Sequence, residues 1–307
     1  EHLRSRYIEP GKIAGAQVAV VRGGTVGYLE SFGVQDRERG VPVADDAIWR
    51  LYSMTKPITG VAMMTLYEQG HFQLDDAVDR WIPEWKNMTV READPNGGSR
   101  IVPAHRPPTI RDILTHTSGI GYGYENGDLV LGERNWLADH DLASMAAAFG
   151  DWPLRFQPGS HWLYSHGMDI AARLVEIMSG MPFDEYLRTA IFEPLGMVDT
   201  DFWVPADKVD RFAANYGRNG RKELVLMDDP TRSTYLRKPK LFNGGGGLVG
   251  SVIGVSGEVM EGSAPAAPHP GGTARHLQPV QVVGVTAVVE ADIGPTKLGD
   301  QPAGVGQ

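Results

Sequence analysis

The sequence contains no cysteine. That excludes a disulfide framework, a thiol nucleophile and a Cys-ligated zinc. No apolar run approaches the length of a membrane span. Positive charge is scarce: 29 Lys and Arg stand against 38 Asp and Glu, a net charge of -9. A nucleic-acid or anionic-membrane partner needs clustered Lys and Arg, so neither is expected. The first residue, Glu1, is not a Met and no signal-peptide pattern follows it. An incomplete N-terminus is left open, and the default expectation is a cytoplasmic protein. Aromatic residues are missing from one stretch. All 7 Trp, 10 Tyr and 9 Phe precede Ser251, and the last 56 residues hold ten Gly and six Pro instead.

What is present is ordinary globular material: 307 residues, 42% hydrophobic and 22% charged. That is enough for one large domain or two small ones with a sizeable core. Residues 15–33 read as a β-hairpin, "GAQVAVVR" and "TVGYLESFG" around Gly23 and Gly24. Lys56 to Gln69 read as a helix that buries Ile58, Val61, Ala62, Thr65 and Leu66 and stops at Gly70, with Pro57 in its first turn. Residues 71–108 carry five prolines and the turn-like "DPNGG" and read mostly as loop. "TIRDILTHTSG" suggests a short helix ending at Gly119, followed by a mobile Gly-rich loop over 120–135. "LASMAAAF", "HGMDIAARLVEIMSG" and "FDEYLRTAIFEPLGM" read as helices; the second buries Ile170, Leu174, Ile177 and Met178 and ends at Gly180. In the tail, "SAPAAPHPGG" reads as linker and "VQVVGVTAVVEA" as one strand.

"LYSMTKPITG" carries the first candidate chemistry. A serine hydroxyl is a weak nucleophile until a base takes its proton. At a helix start, residues three apart share a face, so Lys56 can reach Ser53. Free backbone N–H groups there favour a developing oxyanion. Alone, S-x-x-K more often describes a capping serine and a solvated lysine; the apolar flanks "IWRLY" and "PITG" argue against an open polar face. "WLYSHG" offers a second element, Tyr164. A phenol beside an ammonium can act as a general base, although an isolated tyrosine more often simply packs at a helix entrance. "NGGGGL" lacks the Lys-Ser/Thr of a phosphate loop and reads as a turn. The acid pairs Asp75–Asp76 and Asp228–Asp229 lack neighbouring ligands and read as solvated turns. No metal or cofactor is expected.

Seven segments in order resemble the serine β-lactamase-like family, particularly its class C β-lactamase-related carboxylesterases (family VIII esterases). They are "GAQVAVVRGG", "LYSMTKPITG", "LDDAVDRWIPEW", "IRDILTHTSG", "FQPGSHWLYSHGMDIAARLVEIMSG", "FDEYLRTAIFEPLGM" and "GGGGLVGS", covering about residues 8–251. The resemblance implies an α+β fold of the β-lactamase/DD-peptidase type: an antiparallel sheet flanked by helices beside an all-helical region, with the site between them. Residues 1–251 would form this domain, with sheet strands in 15–33 and helices over about 56–200. Residues 252–307 would form an atypical, low-complexity or weakly ordered tail. The family's nucleophile falls on Ser53, its helix lysine on Lys56 and its tyrosine base on Tyr164. "HTSG" at His116–Gly119 falls on a structural turn behind the site.

The implied reaction is acyl transfer to water through an acyl-enzyme on Ser53, with a small-molecule ester or amide as substrate. Penicillin-recognising relatives usually carry Tyr-x-Asn. Here the third residue is His166, which favours a short-chain ester and makes His166 a candidate substrate contact. The family's late Lys-Thr-Gly or His-x-Gly strand has no good counterpart: "HPGG" at His269–Gly272 carries Pro270, which breaks ladder bonding. A shifted reading frame or a truncation would account for both this loss and the missing aromatics. Two alternatives follow: a β-lactamase or D-Ala-D-Ala peptidase, and a catalytically impaired binding protein or truncated gene product.

Overall fold

The computed structural model describes residues 1–22, 25–122, 139–252 and 281–283. Gly23 and Gly24, most of the predicted 120–135 loop and the His269–Gly272 segment lie outside the described residues.

The N-terminal hairpin forms as the alternating β-rich runs predict. β1 (Gly15–Arg22) pairs antiparallel with β2 (Thr25–Asp36), from Arg22 opposite Thr25 to Gly15 opposite Gly33. The close approach at its base needs glycine: a Cβ on Gly15 would meet Val34 O at 2.4 Å. β3 (Val41–Pro42) extends the sheet beyond β2. The short β4 (Ile48–Arg50) leads into the Ser53 segment.

α1 runs Thr55–Glu68, so Pro57 sits in the first turn where its missing N–H is harmless. Its buried face differs from the predicted one. Thr55, Thr59, Ala62, Met63 and Leu66 are buried, while Val61 is 50% exposed. The reason is polar. Thr59 Oγ1 donates to Gly244 O at 2.8 Å, and Leu248 N donates to Thr55 Oγ1 at 3.1 Å. Two threonines with satisfied hydroxyls thereby rotate the helix away from its apolar stripe.

The predicted loop over 71–108 holds a hairpin. β5 (Thr89–Ala93) pairs with β6 (Ser99–Pro103), and "DPNGG" is its turn. Gly97 and Gly98 supply the left-handed φ values of 100° and 83° that the turn requires. The short α2 (Ile110–Leu114) starts with a Thr109–Asp112 capping box. α3 (Leu142–Gly150) starts with another, between Asp141 and Ser144.

α4 (Gly167–Ser179) ends at Gly180, φ 70°. It buries Ile170 and Leu174 as expected, along with Ala171 and Val175, while Ile177 and Met178 are half-buried. α5 (Phe183–Leu187) continues into a wider π turn over Arg188–Phe192. β7 (Asn215–Arg218) and β8 (Leu224–Asp228) form a further hairpin, and β9 (Val249–Ser251) pairs with β4. β10 (Gln281–Val283), inside "VQVVGVTAVVEA", pairs antiparallel with the free edge of β1. The main sheet therefore runs β10-β1-β2-β3.

The main core lies in the helical region, where Met63, Leu66, Trp85, Ile110, Ile113, Met145, Leu174, Phe183 and Phe202 pack together. Each such side chain contributes roughly 1.5–3 kcal/mol on burial. A smaller cluster of Ala19, Val43, Ala47, Trp49 and Ala213 packs against the sheet. Antiparallel sheets thus stand beside a helical region, the α+β arrangement that the sequence predicts.

Candidate active site

Ser53 sits in a 3-10 turn, Tyr52–Met54, that runs directly into α1. Tyr52, just before it, has φ 44°, a left-handed value unfavourable for a bulky residue. Such a conformation costs about 1–3 kcal/mol and persists only where the surroundings impose it. Two bonds do so here. Leu51 N donates to Leu248 O at 2.8 Å, and Asn215 Nδ2 donates to Tyr52 Oη at 2.8 Å.

Tyr164 arrives from the segment before α4, and His116 holds it on both sides. Leu163 N donates to His116 O at 2.9 Å, and Ser165 N donates to His116 Nδ1 at 3.2 Å. The His116 ring lies 4.8 Å from the Tyr164 ring. An Nδ1 that accepts leaves the proton of the neutral ring on Nε2. Burial, reinforced by the Lys56 charge, pushes the His116 pKa down. His116 is thus placed as scaffold for Tyr164.

The three residues proposed from the sequence meet. Tyr164 Oη donates to Ser53 Oγ at 2.8 Å, and Lys56 Nζ donates to the same oxygen at 3.1 Å. Lys56 Nζ also donates to Gly245 O at 2.7 Å and lies 4.5 Å from the centre of the Tyr164 ring. Ser53 and Tyr164 are exposed and Lys56 is half-buried, so a small molecule can reach the hydroxyl. A weak nucleophile within reach of an amine and a phenol is an arrangement suited to acyl transfer.

His166 is placed differently from the substrate contact suggested by the sequence. It is 4% exposed, its Nδ1 donates to Asp169 Oδ2 at 2.8 Å, and its ring lies 4.3 Å from that of Tyr122. Asp169, missed in the sequence, is also buried, and its Oδ1 accepts from Gly245 N at 2.9 Å. One signal was present: an acid inside the otherwise uncharged run "HGMDIAA". "NGGGGL" is a turn, as read, but a turn that receives Lys56.

An open cleft of about 440 Å³ adjoins the site, lined by Lys56, Pro57, Val61, Met64, Leu114 and Met168 among others. A larger cavity, about 720 Å³, is lined by residues such as Pro182, Thr200, Trp203 and Lys238 and includes none of Ser53, Lys56 and Tyr164. The larger volume thus lies apart from the Ser53–Lys56–Tyr164 cluster.

Among the described residues, no group of three or more His, Asp and Glu is placed to hold a metal ion. The acid pairs bind arginines instead: Asp75 with Arg111, Asp76 with Arg80, Asp228 with Arg50 and Asp229 with Arg39. Asp228 is therefore not a solvated turn residue; it neutralises Arg50, whose side chain is buried. No helix among the described residues is long and apolar enough to cross a membrane.

Comparison with known proteins shows the family of the chain. The Beta-lactamase family model matches residues 3–256. Esterase EstB of Burkholderia gladioli is 37% identical over 224 residues, covering 71% of this chain and 54% of that protein. Monacolin J acid methylbutanoyltransferase of Aspergillus terreus is 32% identical over 248 residues, covering 76% of this chain and 57% of that protein. Among solved structures, "EstCE1, a hydrolase with promiscuous acyltransferase activity" superposes with a TM-score of 0.71 at 28% identity, covering 84% of this chain and 69% of that one. The chain thus spans a little over half the length of the two curated relatives. The chain belongs to the beta-lactamase family and has esterase and acyltransferase relatives.

Proposed function

We propose that this protein hydrolyses short-chain carboxylic esters through an acyl-enzyme on Ser53, with Lys56 and Tyr164 as its bases. The observation that carries this reading is the double hydrogen bond to Ser53 Oγ, from Tyr164 Oη at 2.8 Å and Lys56 Nζ at 3.1 Å. Ser53 Oγ attacks the ester carbonyl carbon, and its proton passes to the Lys56–Tyr164 pair. The same pair returns a proton to the departing alkoxide. Water then attacks the acyl-enzyme and gives up its proton to the pair, which passes a proton to Ser53 Oγ as the acyl C–O bond breaks, so the acid leaves and Ser53 is restored. The cleft beside Lys56, with Pro57, Val61, Met64, Leu114 and Met168 on its walls, supports a small apolar acyl group. His166, turned inward to Asp169, supports an ester over a penicillin-like substrate.

A fluorophosphonate probe tests the nucleophile: labelling of the full chain that is lost in Ser53→Ala is expected. No labelling of the folded protein would favour a non-catalytic binding role. Faster turnover of p-nitrophenyl butyrate than of nitrocefin is expected; the opposite order would make the protein a β-lactamase or D-Ala-D-Ala peptidase. The relatives named for acyl transfer favour a second reading, in which an alcohol replaces water at the acyl-enzyme. Formation of a new ester when 1-butanol is added would support it.

A further inference from the structure

The turn Asn243–Gly247 joins the two sides of the site. Toward α1 it receives Thr59 Oγ1 at Gly244 O and Lys56 Nζ at Gly245 O, at 2.8 and 2.7 Å. Toward α4, Gly245 N donates to Asp169 Oδ1 at 2.9 Å. One residue is thus gripped through its N–H by one helix and, through its C=O, grips the lysine of the other. Asp169 is 1% exposed, and its second oxygen accepts from His166 Nδ1 at 2.8 Å. A buried carboxylate that accepts from both a peptide N–H and an imidazole N–H has a fixed orientation. A lysine on its four-carbon stem is otherwise free to turn among many rotamers. The carbonyl at 2.7 Å removes much of that freedom while Lys56 Nζ stays 3.1 Å from Ser53 Oγ.

We propose that His166 and Asp169 are positioning residues for the chemistry at Ser53. Acting through the Gly245 peptide, they hold Lys56 Nζ at the nucleophile. The inference rests on the reading of Lys56 as a base. Both side chains are buried, and neither lines the cleft beside Lys56. Their loss therefore acts on the rate of the chemical step and not on substrate binding.

The test uses the full chain and three variants. His166→Ala removes the donor to Asp169, His166→Asn keeps an N–H close to the Nδ1 position, and His166→Gln moves it outward. With p-nitrophenyl butyrate, His166→Ala is expected to lower kcat by about ten- to a hundredfold, the usual range for orienting partners of a site, with KM within about twofold. His166→Asn is expected to restore most of the rate and His166→Gln little of it. A wild-type kcat in His166→Ala, an equal loss in all three variants, or a change confined to KM would overturn the proposal. Should His166→Ala not fold, the Asn and Gln variants decide, and equal rates in those two would overturn it. An unlabelled wild type in the fluorophosphonate assay would instead refute the base reading. In that case crystal structures of the His166 variants still decide the positioning. Lys56 Nζ displaced beyond 3.5 Å from Gly245 O in the Gln variant is expected, and an unmoved lysine overturns the proposal.

Discussion

At Ser53 Oγ two donors converge on one oxygen, and the surroundings decide what each contributes. Lys56 Nζ divides its bonds between Ser53 and Gly245 O, whereas Tyr164 Oη is aimed at Ser53. Tyr164→Phe keeps the ring against His116 and Tyr122 and deletes only the hydroxyl. On the proposed reading it should lower kcat for p-nitrophenyl butyrate by about a hundred- to ten-thousandfold, the range of a general acid–base group. The melting temperature should barely change. A Phe variant within threefold of wild type would remove Tyr164 from the chemistry. Asp201 offers a test of a different kind. Burial, assisted by the neighbouring Asp184 charge, pushes its pKa up to about 6. Between pH 4 and 6 the folded chain then holds a proton that the unfolded chain has lost, so stability falls as pH rises through that window. Asp201→Asn keeps an acceptor for Phe202 N and carries no charge. The variant should be the more stable at pH 7.5, and its advantage over wild type should widen by roughly 1 kcal/mol between pH 5 and pH 7.5. Urea melts at the two pH values measure this; a constant gap would mean that the carboxyl ionises normally.

At the scale of elements, the clamp between α1 and α4 depends on close approach. A Cβ on Gly244 would meet Met168 O at 2.5 Å and Ala172 Cβ at 2.7 Å, both on the rigid first turns of α4. The nearest atom to a Cβ on Gly246 is 3.5 Å away, an ordinary contact. Gly244→Ala should therefore cost about 1–3 kcal/mol, as overpacking does, and slow Ser53 labelling because the Gly245 carbonyl shifts. Gly246→Ala should cost under about 1 kcal/mol. Equal urea midpoints for the two variants would show that the clamp yields. The same region shows what a sequence can and cannot convey. Ser53, Lys56 and Tyr164 were legible because the spacing around a helix start and the ordered family segments both point to them. Asp169 and the Gly245 carbonyl were not. Their contact joins residues 76 positions apart and runs through a backbone group. Apolar periodicity puts Val61 on the buried face of α1, whereas it is exposed, because periodicity cannot register a buried Thr59 whose hydroxyl is satisfied by a distant carbonyl. The β5–β6 hairpin was hidden by its prolines, of which Pro103 closes β6 and Pro95 lies in the turn.

At the scale of the whole molecule, the question is how the sheet finishes. β1 is paired along its length by β2 on one side, while on the other β10 covers only Ala19 to Val21. A strand left with one open edge presents unpaired N–H and C=O groups and invites association with another chain. Three residues from a stretch without a single aromatic side chain thus close part of the edge on which the first strand depends. That strand was legible only as an apolar run, because its partner lies more than 250 residues earlier in the chain. Proline cannot donate to a ladder and is excluded from paired strands. Val282, opposite Val20, is the position to change. In the full chain, Val282→Pro should accelerate amide exchange at Ala19, Val20 or Val21 by about tenfold or more, since exchange there reports local opening of the edge. Amides in the middle of α4, packed in the helical core, should exchange as before. Light scattering of the variant should rise with concentration as the freed edge of β1 finds new partners. Unaltered exchange across Ala19–Val21 would mean that β1 ends the sheet by itself and that the tail contributes no strand to it.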